Sequence, residues 1–321
     1  MRFYDIFNGD ADGLCALHQL RLTDPQAATL VTGVKRDIAL LKRVSPAAGD
    51  QLTVLDISLD ANREALLGAL RIGAKVRYFD HHFAGNIPQH PLLESHIDVS
   101  PTVCTSLIVD RYLDGRHRAW AIVAAFGDNL GEQADAAAAQ LGLSQTETQA
   151  LRELGECLNY NAYGSALSDL HFHPAELYLR MQPYAEPLAF CAQASQLDAL
   201  RRALTADLRQ ARALPIEKVG EHAVMVFMPE APWSRRISGT FANELARNQG
   251  DRTVALLLRS GAGYQVSLRA AEHGASAVHL LAQQFDSGNG RARSAGIQFL
   301  PETDVARLRA LLCRAAAGAP N

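Results

Sequence analysis

Two α/β domains, the first organised around a mostly parallel Rossmann-like sheet, are what this sequence predicts. Three observations carry the prediction. Short strand-like runs alternate with amphipathic helical stretches through the first half of the chain, and several of these strands run directly into aspartate. A second alternation of strands and helices follows one long arginine-bearing helix.

The first strand covers Phe3 to Phe7 and breaks into the turn Asn8-Gly9-Asp10-Ala11-Asp12-Gly13, after which Leu14 to Leu22 has helical spacing. Strands over Leu52 to Ile57 and Lys75 to Phe79 follow, separated by a helix with Leu66, Leu67 and Leu70 on its apolar positions. Open α/β sheets gather their sites at the carboxyl ends of strands, so acids from three strands are expected on one edge. Helices over Thr105 to Leu113 and Ala119 to Phe126 come next, and Gly127 marks the turn that ends the second at Asp128.

Pro187 to Leu214 reads as one helix, with Leu197, Leu200, Leu204 and Leu208 on one stripe, arginines opposite and Pro215 as its stop. It is the expected connector. Beyond it, strands Ala223 to Met228, Thr253 to Arg259 and Gly263 to Arg269 alternate with helices Gly239 to Asn248 and Ser276 to Phe285. The expected organisation is a catalytic domain over 1–186, a helical linker over 187–214 and a smaller α/β domain over 215–321.

Bulk composition narrows the function classes. The chain has 321 residues, 48% apolar and 20% charged, which is ordinary for a folded protein of two domains. A net charge of -3 argues against wrapping long nucleic acid and favours small or short anionic substrates. The five cysteines are scattered, with no CxxC pair, and read as thiols in a reducing compartment. The amino terminus enters a strand at once and lacks signal-peptide features, and no long apolar run follows; the expected location is cytoplasmic, away from membranes.

Asp10 and Asp12 sit two residues apart at a glycine-rich strand-to-helix turn, so both carboxylates can face one pocket. Alone, such a pair more often caps a helix. Asp56 at the end of a second strand and Asp80-His81-His82 at the end of a third make convergence the more economical reading. Carboxylates sharing a cleft raise one another's proton affinity unless a cation neutralises them. A set rich in carboxylate with one or two imidazoles suits Mn2+ or Mg2+ better than zinc.

The order of these motifs resembles the DHH phosphoesterase superfamily, named for the triplet found here as Asp80-His81-His82. Its HxDxDG motif corresponds to Asn8 through Gly13, its strand-end aspartate to Asp56 and its late aspartate to Asp128. The glycine-rich stretch Gly288-Asn289-Gly290-Arg291-Ala292-Arg293-Ser294-Ala295-Gly296 is similar to the GGGHxxAAG signature of the DHH-associated domain, and Ser267-Leu268-Arg269 to its strand ending in arginine.

What the resemblance implies is a two-lobed enzyme with its active site in the cleft between the lobes, binding two divalent metal ions, Mn2+ ahead of Mg2+. Asp56 would bridge both ions, Asp10 would serve one, and Asp12, His81 and Asp128 the other, with a two-metal-activated hydroxide as nucleophile. Asn8 stands where the family has histidine and offers only a neutral amide oxygen as a weaker ligand. His82 would hydrogen-bond the scissile phosphate, while Asp80 orients His81. Arg269, Gly288, Gly290 and Arg291 would hold the rest of the substrate, Arg291 replacing a titratable histidine by a permanent cation.

The resulting expectation is hydrolysis of short oligonucleotides or small nucleotides, as in the nanoRNase and adenosine-bisphosphate phosphatase branches, with homodimerisation compatible. Rival readings are a non-catalytic nucleotide-binding regulatory protein, a RecJ-type single-strand exonuclease and a manganese pyrophosphatase. Three further patches remain. His171 and His173 lie at alternate positions before Pro174, Trp233-Ser234-Arg235-Arg236 reads as a solvated loop, and Ala134 to Ala139 is alanine-rich.

Overall fold

Strands β1 (Phe3–Phe7), β2 (Thr29–Val31), β3 (Gln51–Leu55), β4 (Lys75–Asp80) and β5 (Leu93–Ile97) form one sheet in the order β2-β1-β3-β4-β5 in the computed structural model, which describes residues 1–270 and 277–315. Every pairing in this sheet is parallel. Its central strands are buried on both faces, as apolar runs such as Leu52-Thr53-Val54-Leu55 require. β2 and β5 escape sequence reading because one is three residues long and the other, Leu93-Glu94-Ser95-His96-Ile97, carries polar residues at the sheet edge.

Register decides what meets at the sheet's carboxyl edge. Phe7 pairs with Leu55, and Leu55 with Phe79, so Asn8, Asp56 and Asp80 are successive neighbours one step beyond. Helices α1 (Ala11–Thr23) and α2 (Leu59–Ile72) follow β1 and β3. On α2, Leu66 and Leu70 are buried but Leu67 is exposed, since only the i, i+4 pair faces the sheet. Helices α3 (Thr105–Tyr112), α4 (Arg118–Gly127), α5 (Gly131–Gln140) and α6 (Gln145–Ala162) cover the side carrying α1. The alanine-rich stretch is α5.

Gly127 is the last residue of α4 rather than a turn. A side chain there would overlap Ala11 Cβ at 2.5 Å and meet the Gly155 carbonyl at 3.0 Å. At Gly155 it would meet the Val123 carbonyl at 2.2 Å. These two glycines let α4 press on α1 and α6, and this delivers Asp128, the residue after α4, to the sheet edge.

Helices α7 (Pro174–Met181), α8 (Pro187–Gln193) and α9 (Ser195–Arg212) complete the helical run. The single helix expected over 187–214 is therefore two, broken at Ala194, whose extended backbone admits no continuous ladder. The chain divides into two compact units, Met1–Arg202 and Ala203–Asn321, with the division inside α9.

The second unit holds a six-stranded mixed sheet in the order β10-β11-β9-β8-β7-β6, from β6 (Glu217–Val219), β7 (Ala223–Met228), β8 (Thr253–Ser260), β9 (Gly263–Arg269), β10 (Gly288–Arg291) and β11 (Ser294–Pro301). Among the described residues only β7 and β8 pair in parallel here. Helices α10 (Pro232–Gln249), α11 (Val278–Ala282) and α12 (Val305–Ala315) complete it, and Ser276, the expected start of α11, lies outside the described residues.

Trp233 to Arg236 belongs to the first turn of α10, not to a loop, because Pro232 opens the helix and Arg236 is held inward by Asp207. Among the described residues no helix is long and apolar enough to cross a membrane.

Candidate metal centre

The buried acids of the first sheet's carboxyl edge are each held by a different local device. Asp10 caps α1, its Oδ1 accepting from the Asp12 and Gly13 amides at 3.1 Å. Its other oxygen pairs with the Lys35 ammonium. Asp12, inside the first turn of α1, is gripped by the start of α3: Thr105 N–H donates to Oδ2 and Ser106 N–H to Oδ1, both at 2.7 Å. Asp56 follows β3 with a positive φ of 58°, uncommon for a residue with a side chain and tolerated best by Asn and Asp. Thr105 Oγ1 donates to Asp56 Oδ1 at 3.1 Å.

The histidines are fixed as well. His81 Nδ1 lies 2.9 Å from the Val103 carbonyl, so it carries the proton and leaves Nε2 as the acceptor nitrogen. That Nε2 is 3.4 Å from Asp56, 3.8 Å from Asp128 and 4.0 Å from Asp12. Asp80 bonds His82 at 2.7 Å and not His81, which corrects the expected pairing; β4 ends at Asp80, and the chain turn places the residue two beyond it, rather than the next, over the carboxylate.

Electrostatics record the crowding. Burial first, then the charges of Asp12, Asp10 and Asp128, push the Asp56 carboxyl well above the usual range. Burial, Asp12 and Asp10 likewise bring Asp128 up to about 6, although Lys35 opposes them. Asp10 goes the other way: burial raises it, but the charge and hydrogen bond of Lys35 together prevail and hold it low. For His82 burial favours the neutral ring, yet the Asp80 hydrogen bond and charge win and raise it. The nearby Cys15 and Cys104 thiols are pushed well up, by burial first and then by Asp12, and offer no thiolate.

Ligand atoms of Asp12, His81 and Asp128 lie within 4.8 Å of one another, as do those of Asp56, His81 and His82. Buried, mutually repelling carboxylates with imidazole nitrogen are the donor chemistry of Mn2+ or Mg2+, and the raised Asp56 and Asp128 carboxyls mark the charge such an ion would neutralise. These residues fit a divalent cation.

Asn8 stands apart. It is buried, its Nδ2 donates to the Lys35 carbonyl at 3.3 Å, and its Oδ1 has no hydrogen-bond partner among the described residues.

With this geometry in place, comparison with solved structures is informative. The chain superimposes along its whole length on RecJ of Thermus thermophilus in complex with Mn2+, with a TM-score of 0.60 and 18% identity. It spans 52% of that protein. An exonuclease RecJ bound to manganese matches with a TM-score of 0.55 and 17% identity over 99% of this chain and 91% of the other. The pGpG-specific phosphodiesterase PggH of Vibrio cholerae matches with a TM-score of 0.54 and 13% identity over 98% of this chain and 100% of the other.

The chain shares the fold of these RecJ and PggH structures. No protein-family model matches the sequence, and no curated protein matches it either. The two motif-bearing regions lie in separate units, the acids in Met1–Arg202 and the glycine-rich stretch in Ala203–Asn321.

Within the second unit, Gly288 to Arg291 is strand β10 of a hairpin with β11. A side chain at Gly288 would meet the Ala282 carbonyl at 1.7 Å, and one at Gly290, whose φ is 151°, would meet Ala295 Cα at 2.4 Å. Packing alone accounts for both glycines. Arg291 is exposed, and Arg269 donates to Asn243 Oδ1 at 2.6 Å. His171 bonds Tyr160 at 2.8 Å and His173 caps α7.

Sequence reasoning missed Lys35, Asn159, Thr105 and Ser106. Thr105 and Ser106 grip Asp12 through backbone amides that any residue at a helix start would offer, so their identity carries no signal for that contact. Lys35 follows the short β2 and carries no local signal; it reaches Asp10 because Gly9 packs against the Gly33 carbonyl, where a side chain would overlap at 2.1 Å.

Proposed function

We propose that this chain is a metal-dependent phosphoesterase that hydrolyses short oligonucleotides or small nucleotides. The observation that carries the reading is the gathering of Asp12, Asp56 and Asp128 around His81 Nε2, with Asp12, Asp56 and His81 each held by a hydrogen bond of its own. The fold match to PggH, a phosphodiesterase specific for pGpG and spanned from end to end, supports a small nucleotide over a long strand.

A bound divalent ion would lower the pKa of water to a reactive range and hold phosphoryl oxygens. The chain's own residues do the rest. Asp12 cannot swing away because two backbone amides of α3 fix both of its oxygens. His81 is held in the tautomer a metal ligand needs. His82, whose proton affinity Asp80 raises, is placed to donate a hydrogen bond to a phosphoryl oxygen or a proton to the leaving oxygen. Buried, protonated Cys15 and Cys104 exclude a thiolate nucleophile at this edge.

The family resemblance by itself would add Asn8 and Asp10 to the metal residues, and would have Arg269, Gly288, Gly290 and Arg291 in the domain over 215–321 contact the remainder of the nucleotide. The domain over 1–186 supplies the chemistry, and the segment 187–214 joins them.

The test is turnover of pGpG, other dinucleotides, adenosine bisphosphate, short single-stranded DNA and pyrophosphate by the purified protein with Mn2+ or Mg2+, beside Asp56→Asn. Cleavage of a dinucleotide or mononucleotide substrate by the wild type alone is expected. If no substrate turns over above the Asp56→Asn background at any metal concentration, the proposal fails.

A further inference from the structure

Lys35 is a second cation already built into the acidic edge. Its ammonium pairs with Asp10 Oδ2, lies 3.6 Å from Asp128 Oδ1 and donates to Asn159 Oδ1 at 3.2 Å. The residue is anchored from both sides of its backbone. Its N–H donates to the Ala162 carbonyl at 2.9 Å, and its carbonyl accepts from Asn8 Nδ2 at 3.3 Å. The Tyr163 ring, 5.6 Å from the ammonium, adds an aromatic wall.

Asp128 divides the pocket. One oxygen faces Lys35 and the other faces His81 Nε2 at 3.8 Å. On the His81 side, no lysine or arginine pairs with Asp12 or Asp56 among the described residues. On the other side, Asp10 has committed one oxygen to the α1 cap and the other to Lys35, and Asn8 adds only a neutral amide oxygen. A neutral oxygen beside an ammonium is a poor seat for a divalent ion, because the two cations would repel across a few ångströms of buried space. With one divalent ion and Lys35, three positive charges face the four carboxylates, so the edge is close to neutral before any substrate arrives.

From this we infer that the protein binds one divalent ion, held by Asp12, Asp56, His81 and Asp128, and that the Lys35 ammonium stands in the place of a second ion. Asn8 then serves to hold the Lys35 backbone and is not a metal ligand. This proposal sets one ion in place of the two-ion expectation and deepens the proposed function, on which it rests for its catalytic meaning; the ion count itself is independent of turnover.

The experiment counts Mn2+ bound to the chelator-stripped full chain by calorimetry and records its electron paramagnetic resonance spectrum. About one ion per chain and a mononuclear spectrum are expected for wild type, and the same for Lys35→Arg, which keeps the charge. Lys35→Met, and Lys35→Met combined with Asn8→His, should bind about two ions with an exchange-coupled spectrum, since Asp10 is then released.

Two coupled ions in wild type would overturn the inference. So would a count that stays at one in folded Lys35→Met combined with Asn8→His, as checked by circular dichroism. Should these variants fail to fold, the wild-type and Lys35→Arg counts still decide the matter. One bound ion without turnover of any nucleotide would sink the proposed function and leave this inference standing.

Discussion

The acidic edge of the first sheet and the glycine hairpin of the second both stand out in the sequence, and folding treats them in opposite ways. At the edge, buried carboxylates repel one another, and Asp56 holds a positive φ, none of which packing requires. In the hairpin, Gly288 and Gly290 are demanded by contacts with Ala282 and Ala295 that no side chain could share. A feature that costs stability and is kept points to chemistry, whereas one that packing explains in full carries little functional information by itself.

The largest effect expected to separate the two regions is that of Asp56→Asn. It should lower turnover on the order of a thousandfold, the loss of several kcal/mol of charge stabilisation, while raising the stability of the chelated protein by relieving repulsion. Steady-state kinetics and thermal melts in chelator check both halves. A variant that loses both activity and stability would erase the contrast.

Next comes Asp80→Asn, which removes the carboxylate that orients His82 and raises its proton affinity. A fall in kcat of about 10- to 100-fold is expected, with the alkaline limb of the pH profile moved to lower pH, because the ring loses the partner that raised it. An unchanged profile would remove His82 from the chemistry.

Gly290→Ala should disturb the fold of the hairpin and leave the metal centre untouched. With φ at 151° and Ala295 Cα at 2.4 Å from the added carbon, a stability loss of about 1–3 kcal/mol is expected, and Mn2+ binding should not change. Altered ion affinity would show that the hairpin does more than pack.

The pH dependence of stability sharpens the account of the edge. Asp128 is raised from 3.8 to about 6 and Asp56 is raised well above 3.8, so the folded state holds these protons more tightly than the unfolded chain does. Their cost is absent below the ordinary carboxylate range and grows as pH rises from 3.8 through about 6. The melting temperature in chelator should therefore fall across that window, and saturating Mn2+ should flatten the fall by binding the folded state. A flat profile in chelator contradicts this reading.

Arg291→Ala carries the smallest expected effect, a loss of about 1 kcal/mol, or several-fold, on a nucleotide and none on a generic aryl phosphodiester. Equal loss on both substrates would take Arg291 out of recognition.

Much of the acidic edge is legible without a structure. A strand-to-helix turn with Asp10 and Asp12, and strands ending at Asp56 and Asp80, are local patterns, and parallel sheets bring such ends together by register alone. Strands β2 and β5 were not legible because short or polar edge strands leave no alternation to read.

The acids at the strand ends, the alternation of elements and the DHH motif order are determined by the sequence itself, because each depends on neighbours within a few residues. Tertiary structure alone decided that Lys35 reaches Asp10, that Gly127 and Gly155 deliver Asp128, that Thr105 and Ser106 clamp Asp12, and that Asp80 serves His82. Most of these depend on close contacts between segments distant in the chain, and the last on how the backbone turns beyond β4; residue spacing specifies neither.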